Sequence, residues 1–174
     1  MDLSSKNKEI KEMIRIDHAG EYAAKRIYEG QLSIIQCPDA KKKIEEMAQG
    51  EEEHLSYFES QIKKRRVRPT ILYPVIDKLA YTVGAVTAKM GTEAAMVCTS
   101  AVEEVIAEHY QNQIDVLGSE EKELKGSIEK FREEELEHKN TAENYDLERA
   151  PAYKVLNGII KGGCKAAIKI VKYL

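Results

Sequence analysis

Two tetrapeptides in this chain carry residue types that bind transition metals. Glu51-Glu52-Glu53-His54 and Glu135-Leu136-Glu137-His138 each place a Glu three residues before a His. On an α-helix, residues three apart share a face with an axial rise of about 4.5 Å, so the carboxylate and imidazole of each pair can reach one ion. Each pair also has a Glu upstream at a similar distance, Glu21 before Glu51 and Glu103 before Glu135. The order is Glu, Glu-x-x-His, Glu, Glu-x-x-His. Of the 4 histidines, only His54 and His138 sit in this motif.

The surrounding periodicity says which way these residues point. Ile10, Ile14, His18, Glu21, Tyr28, Leu32 and Ile35 fall on one stripe of a helix predicted from about Lys8 to Gln36. Cys37-Pro38-Asp39 breaks it, with Asp39 a good N-cap for the next helix, about Ala40 to Lys64. Glu51 and His54 interrupt the apolar face of that helix, Ile44, Met47, Ala48, Leu55, Phe58 and Ile62, whereas Glu52 and Glu53 fall off it. A third helix, about Thr92 to Leu117, aligns Met96, Thr99, Glu103, Ile106, Ala107, Tyr110 and Ile114, with Glu104 off the stripe. A fourth, about Glu120 to Asp146, aligns Leu124, Ile128, Phe131, Glu135, His138 and Ala142. Tyr28 follows Glu21 at the same spacing as Tyr110 follows Glu103, so the two halves repeat. The expected architecture is all-α: two helical hairpins, 8–64 and 92–146, forming a pseudo-two-fold four-helix bundle in one domain over 1–174.

Four carboxylates on buried stripes need neutralising, because an unpaired buried charge costs several kcal/mol. No Lys or Arg recurs on those stripes, and two divalent ions would balance the four acids. This Glu and Glu-x-x-His set is the ligand set of ferritin-like di-iron or di-manganese bundles. The imidazoles disfavour calcium and magnesium, and the carboxylate-rich two-metal set disfavours zinc. Two iron ions are the best match and manganese the second. Tyr110 shares the stripe of Glu103 and is a candidate lining residue; its neighbour His109 is a weaker candidate. Asp17, one turn before Glu21, reads either as a surface acid or as a group that orients a ligand imidazole.

Composition bounds the rest. The chain has 174 residues, 43% hydrophobic and 33% charged, with a net charge of −3 that argues against bulk nucleic-acid binding. Cys37, Cys98 and Cys164 are dispersed and make no Cys-x-x-Cys, which points to a reducing compartment. No Gly-x-Gly-x-x-Gly fingerprint is present, so a Rossmann dinucleotide site is excluded. The first residues read as neither a secretory signal nor an Arg-rich transit peptide.

Between the hairpins, 65–91 reads as an apolar crossover, interrupted by Pro74, Asp77, Lys78 and Lys89 and therefore unsuited to a simple membrane span. It follows a basic run, Lys63 to Arg68. After Pro151, the segment 152–174 reads as an amphipathic helix with Lys161, Lys165, Lys169 and Lys172 on one basic stripe. Two basic, apolar elements favour an anionic membrane surface.

At these residues the sequence resembles the demethoxyubiquinone hydroxylases of ubiquinone biosynthesis. The matching motifs are Ile14-Arg15-Ile16-Asp17-His18-Ala19-Gly20-Glu21-Tyr22, Glu51-x-x-His54, Arg68-Pro69-Thr70, Cys98-Thr99-Ser100-Ala101-Val102-Glu103-Glu104, Glu108-His109-Tyr110, Arg132 to His138, and Ala150-Pro151-Ala152-Tyr153, in family order across nearly the whole chain. The resemblance implies that Glu21, Glu51, His54, Glu103, Glu135 and His138 are iron ligands and that His109 and Tyr110 lie near the site. It implies a monooxygenase that uses O₂ and reducing equivalents, from NADH or another donor, to hydroxylate a demethoxyquinone. The expected location is peripheral, on the cytoplasmic side of a bacterial inner membrane or the matrix side of the mitochondrial one. A homo-oligomer or a lipid-presenting protein partner is compatible with that reading. The rival classes are a ferritin- or rubrerythrin-like iron or peroxide protein, and a non-catalytic quinone carrier.

Overall fold

The four ligand-bearing stripes need four helices whose apolar faces meet. A computed structural model, describing residues 3–174, shows them as α1 (Leu3–Leu32), α2 (Pro38–Arg65), α4 (Thr92–Val116) and α5 (Lys122–Glu143). The crossover holds a further helix, α3 (Tyr73–Lys89), and the chain ends in α6 (Tyr153–Tyr173). Among the described residues there is no strand. The fold is an all-α, ferritin-like bundle.

Two boundaries differ from expectation for local reasons. Cys37, not Asp39, is the N-cap of α2, because Pro38 lacks the N–H that a capping group would have to satisfy and fits the first turn. Asp39 lies inside that turn and accepts a hydrogen bond from the Tyr145 hydroxyl at 2.7 Å. The crossover is helical despite Pro74, which sits in the first turn of α3 where a proline is tolerated.

Two apolar layers sandwich the ligand positions. Ile14, Phe58, Tyr110, Leu124, Ile128 and Phe131 form one, and Tyr28, Ile44, Met47, Met96 and Ala142 form the other. On every bundle helix the Glu and His positions fall between residues of the two layers. Burying a large apolar side chain contributes about 1.5–3 kcal/mol, so the two layers stabilise the bundle on either side of the polar stratum.

α4 is the central helix, packed by α5, α6, α3 and α1, and Ala94 to Glu103 is buried without interruption. α3 lies along α1. Their backbones touch through two glycines: a Cβ at Gly30 would collide with the Tyr81 carbonyl, and one at Gly84 with the Ile27 carbonyl. Only residues without a side chain let two helices come so close.

α6 sits on α4 and α1, packing Leu156, Ile160, Cys164, Ile168 and Val171 against the body. Lys161 pairs with Glu104, and Lys165 with Glu108 at 2.8 Å, so these two members of the basic stripe tie the flank of α6 to α4. Further apolar residues look outward: Val155 is 61% exposed and Ile159 65%. On α3, Val75, Leu79 and Val86 are likewise exposed. α6 is entered through Ala152, whose φ of 52° is left-handed.

Candidate metal centre

The bundle brings all six candidate ligands together. Glu21 comes from α1, Glu51 and His54 from α2, Glu103 from α4, and Glu135 and His138 from α5. Their donor atoms form two groups, Glu21, Glu51, His54 and Glu135, and Glu51, Glu103, Glu135 and His138, each with atoms within 4.8 Å of one another. That span is close to twice a metal–ligand bond of about 2.0–2.2 Å. Glu51 and Glu135, one from each Glu-x-x-His pair, belong to both groups and stand where carboxylates could bridge two ions.

The imidazoles cross between the halves. His54 Nδ1 lies 3.1 Å from Glu135 and 3.4 Å from Glu21, and His138 Nδ1 lies 3.2 Å from Glu51. Both rings therefore turn Nδ1 inward. Space for the His138 ring is made by Gly50, where a Cβ would come within 3.2 Å of it.

Eight inward atoms have no hydrogen-bond partner: both oxygens of Glu51 and of Glu135, one oxygen each of Glu21 and Glu103, and Nδ1 of His54 and His138. Buried polar atoms are ordinarily satisfied, so a convergent set of this kind fits a metal pair. Without metal the stratum is under electrostatic stress. Burial pushes Glu51 and Glu103 well above the usual carboxylate range, and facing carboxylates push them further. Burial disfavours the His54 cation, yet the Glu135 and Glu21 carboxylates close to its Nδ1 outweigh that and raise it to about 11. Glu135 is buried too, but His138 and His54 hold it down to about 2.

Supporting groups surround the ligands. Tyr28 donates its hydroxyl to Glu103, and Tyr110 donates to Glu21. The far nitrogen of His54, Nε2, lies 2.9 Å from Glu134, the arrangement that fixes the orientation of a metal-binding imidazole. Sequence reasoning missed Glu134, which is off the apolar stripe; its only signal was the acidic run around Glu135. Asp17 does not take that role. It accepts a hydrogen bond from Gln113 at 2.6 Å and lies 3.3 Å from His109 Nε2. His109 is thus held one residue away from the ligand-bonded Tyr110, with its ring partly exposed.

Beside the centre runs an apolar cavity of about 100 Å³ between α1, α4 and α6. Its lining includes Gly20, Ala23, Val102, Ile106, Cys164 and Ile168. Gly20 and Val102 immediately precede Glu21 and Glu103, so the cavity follows the α1–α4 seam that carries two of the candidate ligands.

Residues 8–171 match the family described as ubiquinone biosynthesis protein COQ7. This chain belongs to the COQ7 family. It is similar to a human protein named NADPH-dependent 3-demethoxyubiquinone 3-hydroxylase, mitochondrial, at 46% identity over 166 residues, covering 93% of this chain and 76% of the relative. It is similar to the 3-demethoxyubiquinol 3-hydroxylase of Rhodospirillum rubrum, at 44% over 160 residues, 91% of this chain and 76% of that one. It is also similar to the mitochondrial 5-demethoxyubiquinone hydroxylase of Saccharomyces cerevisiae, at 39% over 173 residues, 90% and 74%. COQ7 membership places the resemblance seen in the motifs on a chain-long footing.

Proposed function

We propose that this chain is a demethoxyubiquinone hydroxylase of ubiquinone biosynthesis, acting through two iron ions held by Glu21, Glu51, His54, Glu103, Glu135 and His138. The observation that carries the reading is the buried set of unpartnered Glu and His atoms beside an apolar cavity, in a member of the COQ7 family. Manganese is the second candidate for the same ligands.

The overall change inserts one atom of O₂ into the quinone ring as a hydroxyl and releases the other as water, consuming two electrons and two protons. Iron, when bound, supplies the activation of O₂. The protein supplies position, dryness and proton control. The apolar wall along α1, α4 and α6 accepts the quinone ring and excludes water, which protects an oxidising site from side reactions. Tyr110 and Tyr28 each hold a proton against a ligand carboxylate, and Glu134 keeps the His54 ring aimed inward. His109, linked to Asp17, lies between that interior and the surface. The human relative is named NADPH-dependent, and we extend that here to a nicotinamide or another donor of electrons.

The quinone's isoprenoid tail keeps it in lipid, so the chain works at a membrane surface. No helix among the described residues is long and apolar enough to cross one. The outward apolar residues of α3 and α6 are the contact we assign to the bilayer. The site of action is then the cytoplasmic face of a bacterial inner membrane, or the matrix face of the mitochondrial one.

The deciding experiment supplies reduced, iron-loaded protein with a demethoxyquinone analogue and isotopically labelled O₂. A hydroxylated quinone carrying one labelled oxygen is the expected product. Label confined to water or peroxide would reassign the chain to iron storage or peroxide handling.

A further inference from the structure

Away from the metal centre, the beginning of α1 and the end of α6 enclose a groove of about 430 Å³. Lys8, Lys11, Arg15 and Lys172 line it, with Glu12 as the sole carboxylate among the lining residues. Arg15 is fixed by backbone rather than by an acid: its Nε donates to the Arg68 carbonyl at 2.8 Å and its Nη1 to the Lys172 carbonyl at 3.3 Å. Lys8 and Lys172 each reach Glu12 only at 3.9 Å. Among the described residues, Lys11 and Arg15 have no carboxylate partner. Four cations share one weakly engaged acid, and such a concavity attracts anions.

Tyr173 also lines the groove and is 81% exposed, and the next residue, Leu174, is exposed too. A phosphate group in the groove would have greasy surface next to it. An anionic phospholipid joins a phosphate to acyl chains and so offers both.

We propose that this groove seats the phosphate of an anionic phospholipid and so fixes how the chain sits on the bilayer. The inference rests on the membrane-surface reading above. It relocates the electrostatic contact from the middle of α6, where Glu104 and Glu108 already engage Lys161 and Lys165, to the junction of α1 and α6.

The test uses the full, iron-loaded chain and vesicles of phosphatidylcholine alone or mixed with phosphatidylglycerol. Each lysine near an anionic surface contributes about fivefold in partition. The double variant Lys8→Glu/Lys11→Glu should therefore lose about tenfold or more of its binding to the mixed vesicles and show a flatter salt dependence. Its binding to phosphatidylcholine alone should not change. The milder Lys8→Gln/Lys11→Gln should lose less in the same direction, which guards against misfolding as the cause. Lys41→Glu/Lys42→Glu, at the opposite end of the bundle, should keep wild-type binding. Equal losses at both ends, or none at either, would overturn the groove while leaving membrane docking intact. Failure of the wild-type chain to bind either vesicle would overturn both. A raised KM for NADPH in Lys8→Glu/Lys11→Glu, with vesicle binding unchanged, would assign the phosphate to the dinucleotide and also overturn the proposal.

Discussion

The Tyr110 hydroxyl donates to the Glu21 carboxylate, so a residue of the second hairpin braces a candidate ligand of the first. Tyr28 does the reciprocal service for Glu103. Each half of the duplicated bundle thus depends on the other for the position of its lone upstream Glu. Tyr110→Phe should leave a buried carboxylate oxygen unpaired and cost about 1–3 kcal/mol of metal-free stability. Metal content should stay near two ions per chain. Thermal unfolding with parallel metal analysis checks both statements, and Tyr28→Phe should behave alike.

Glu103 and Glu104 are neighbours with opposite environments. Glu103 is 1% exposed in the ligand stratum, whereas Glu104 is at the surface with Lys139 and Lys161. Glu103→Ala should abolish loading of at least one ion and lower turnover by orders of magnitude. Glu104→Ala should retain full loading. The comparison is read by metal stoichiometry first and turnover second; reversed outcomes would sink the assignment.

Metal changes the sign of the pH dependence of stability. In the metal-free chain, Glu51 and Glu103 are raised above 4.5 and His54 is raised from 6.5 to about 11. Between the ordinary carboxylate range and neutrality the native state then holds more protons than the unfolded one, so stability falls as pH rises. The contribution of His54 is fully present below 6.5 and disappears as pH climbs toward 11. Glu135, held at about 2, acts in the opposite sense but only in acid below 4.5. The loaded protein should show the reverse slope over the neutral range, because protons compete with metal for the same atoms. Melting temperatures of both forms across that range should therefore have opposite slopes. Parallel slopes would contradict a buried metal pair.

The ion pairs beneath α6 can be probed with the protein's own thiols. Cys37 is exposed, Cys98 is buried and Cys164 lies between them on the cavity wall. Lys161→Glu sets a repulsion against Glu104, and a partly exposed pair contributes up to about 1 kcal/mol, or roughly fivefold in opening. Maleimide labelling of Cys164 should accelerate by about that factor, with Cys37 unchanged. Labelling of Cys164 at the unchanged wild-type rate would mean that the Lys161–Glu104 pair does not hold α6 down.

Two glycines of α1 should respond to alanine with opposite signs. At Gly20 a Cβ meets nothing within 4 Å, so Gly20→Ala should gain up to about 1 kcal/mol from helix propensity. At Gly30 the Cβ strikes the backbone of α3, and overpacking should cost about 1–3 kcal/mol. Chemical denaturation distinguishes them. Larger residues at Gly20 would fill the cavity and should raise KM for a tailed quinone.

Periodicity was enough to find the bundle and its inward-facing residues, because a Glu that interrupts an apolar stripe can point only one way. It also separated Glu51 from Glu52 and Glu103 from Glu104. It did not reveal Glu134, since a residue off the stripe carries no signal that a ring from α2 reaches it. The ion pairs of α6 were invisible for a similar reason. A basic stripe carries no signal of the acids Glu104 and Glu108, on a distant segment, that Lys161 and Lys165 engage. The helix within the crossover was obscured by Pro74, a breaker everywhere except in the first turn.

The outward apolar face of α6 has a kinetic consequence. Peripheral proteins that hide their greasy surface must first rearrange, and that step limits how fast they attach. Here Val155, Ile159, Ile170 and Tyr173 are uncovered in the chain itself. Attachment to lipid would then be governed by encounter, with no unmasking step. In the absence of lipid or detergent the same face should drive copies of the chain to associate as concentration rises.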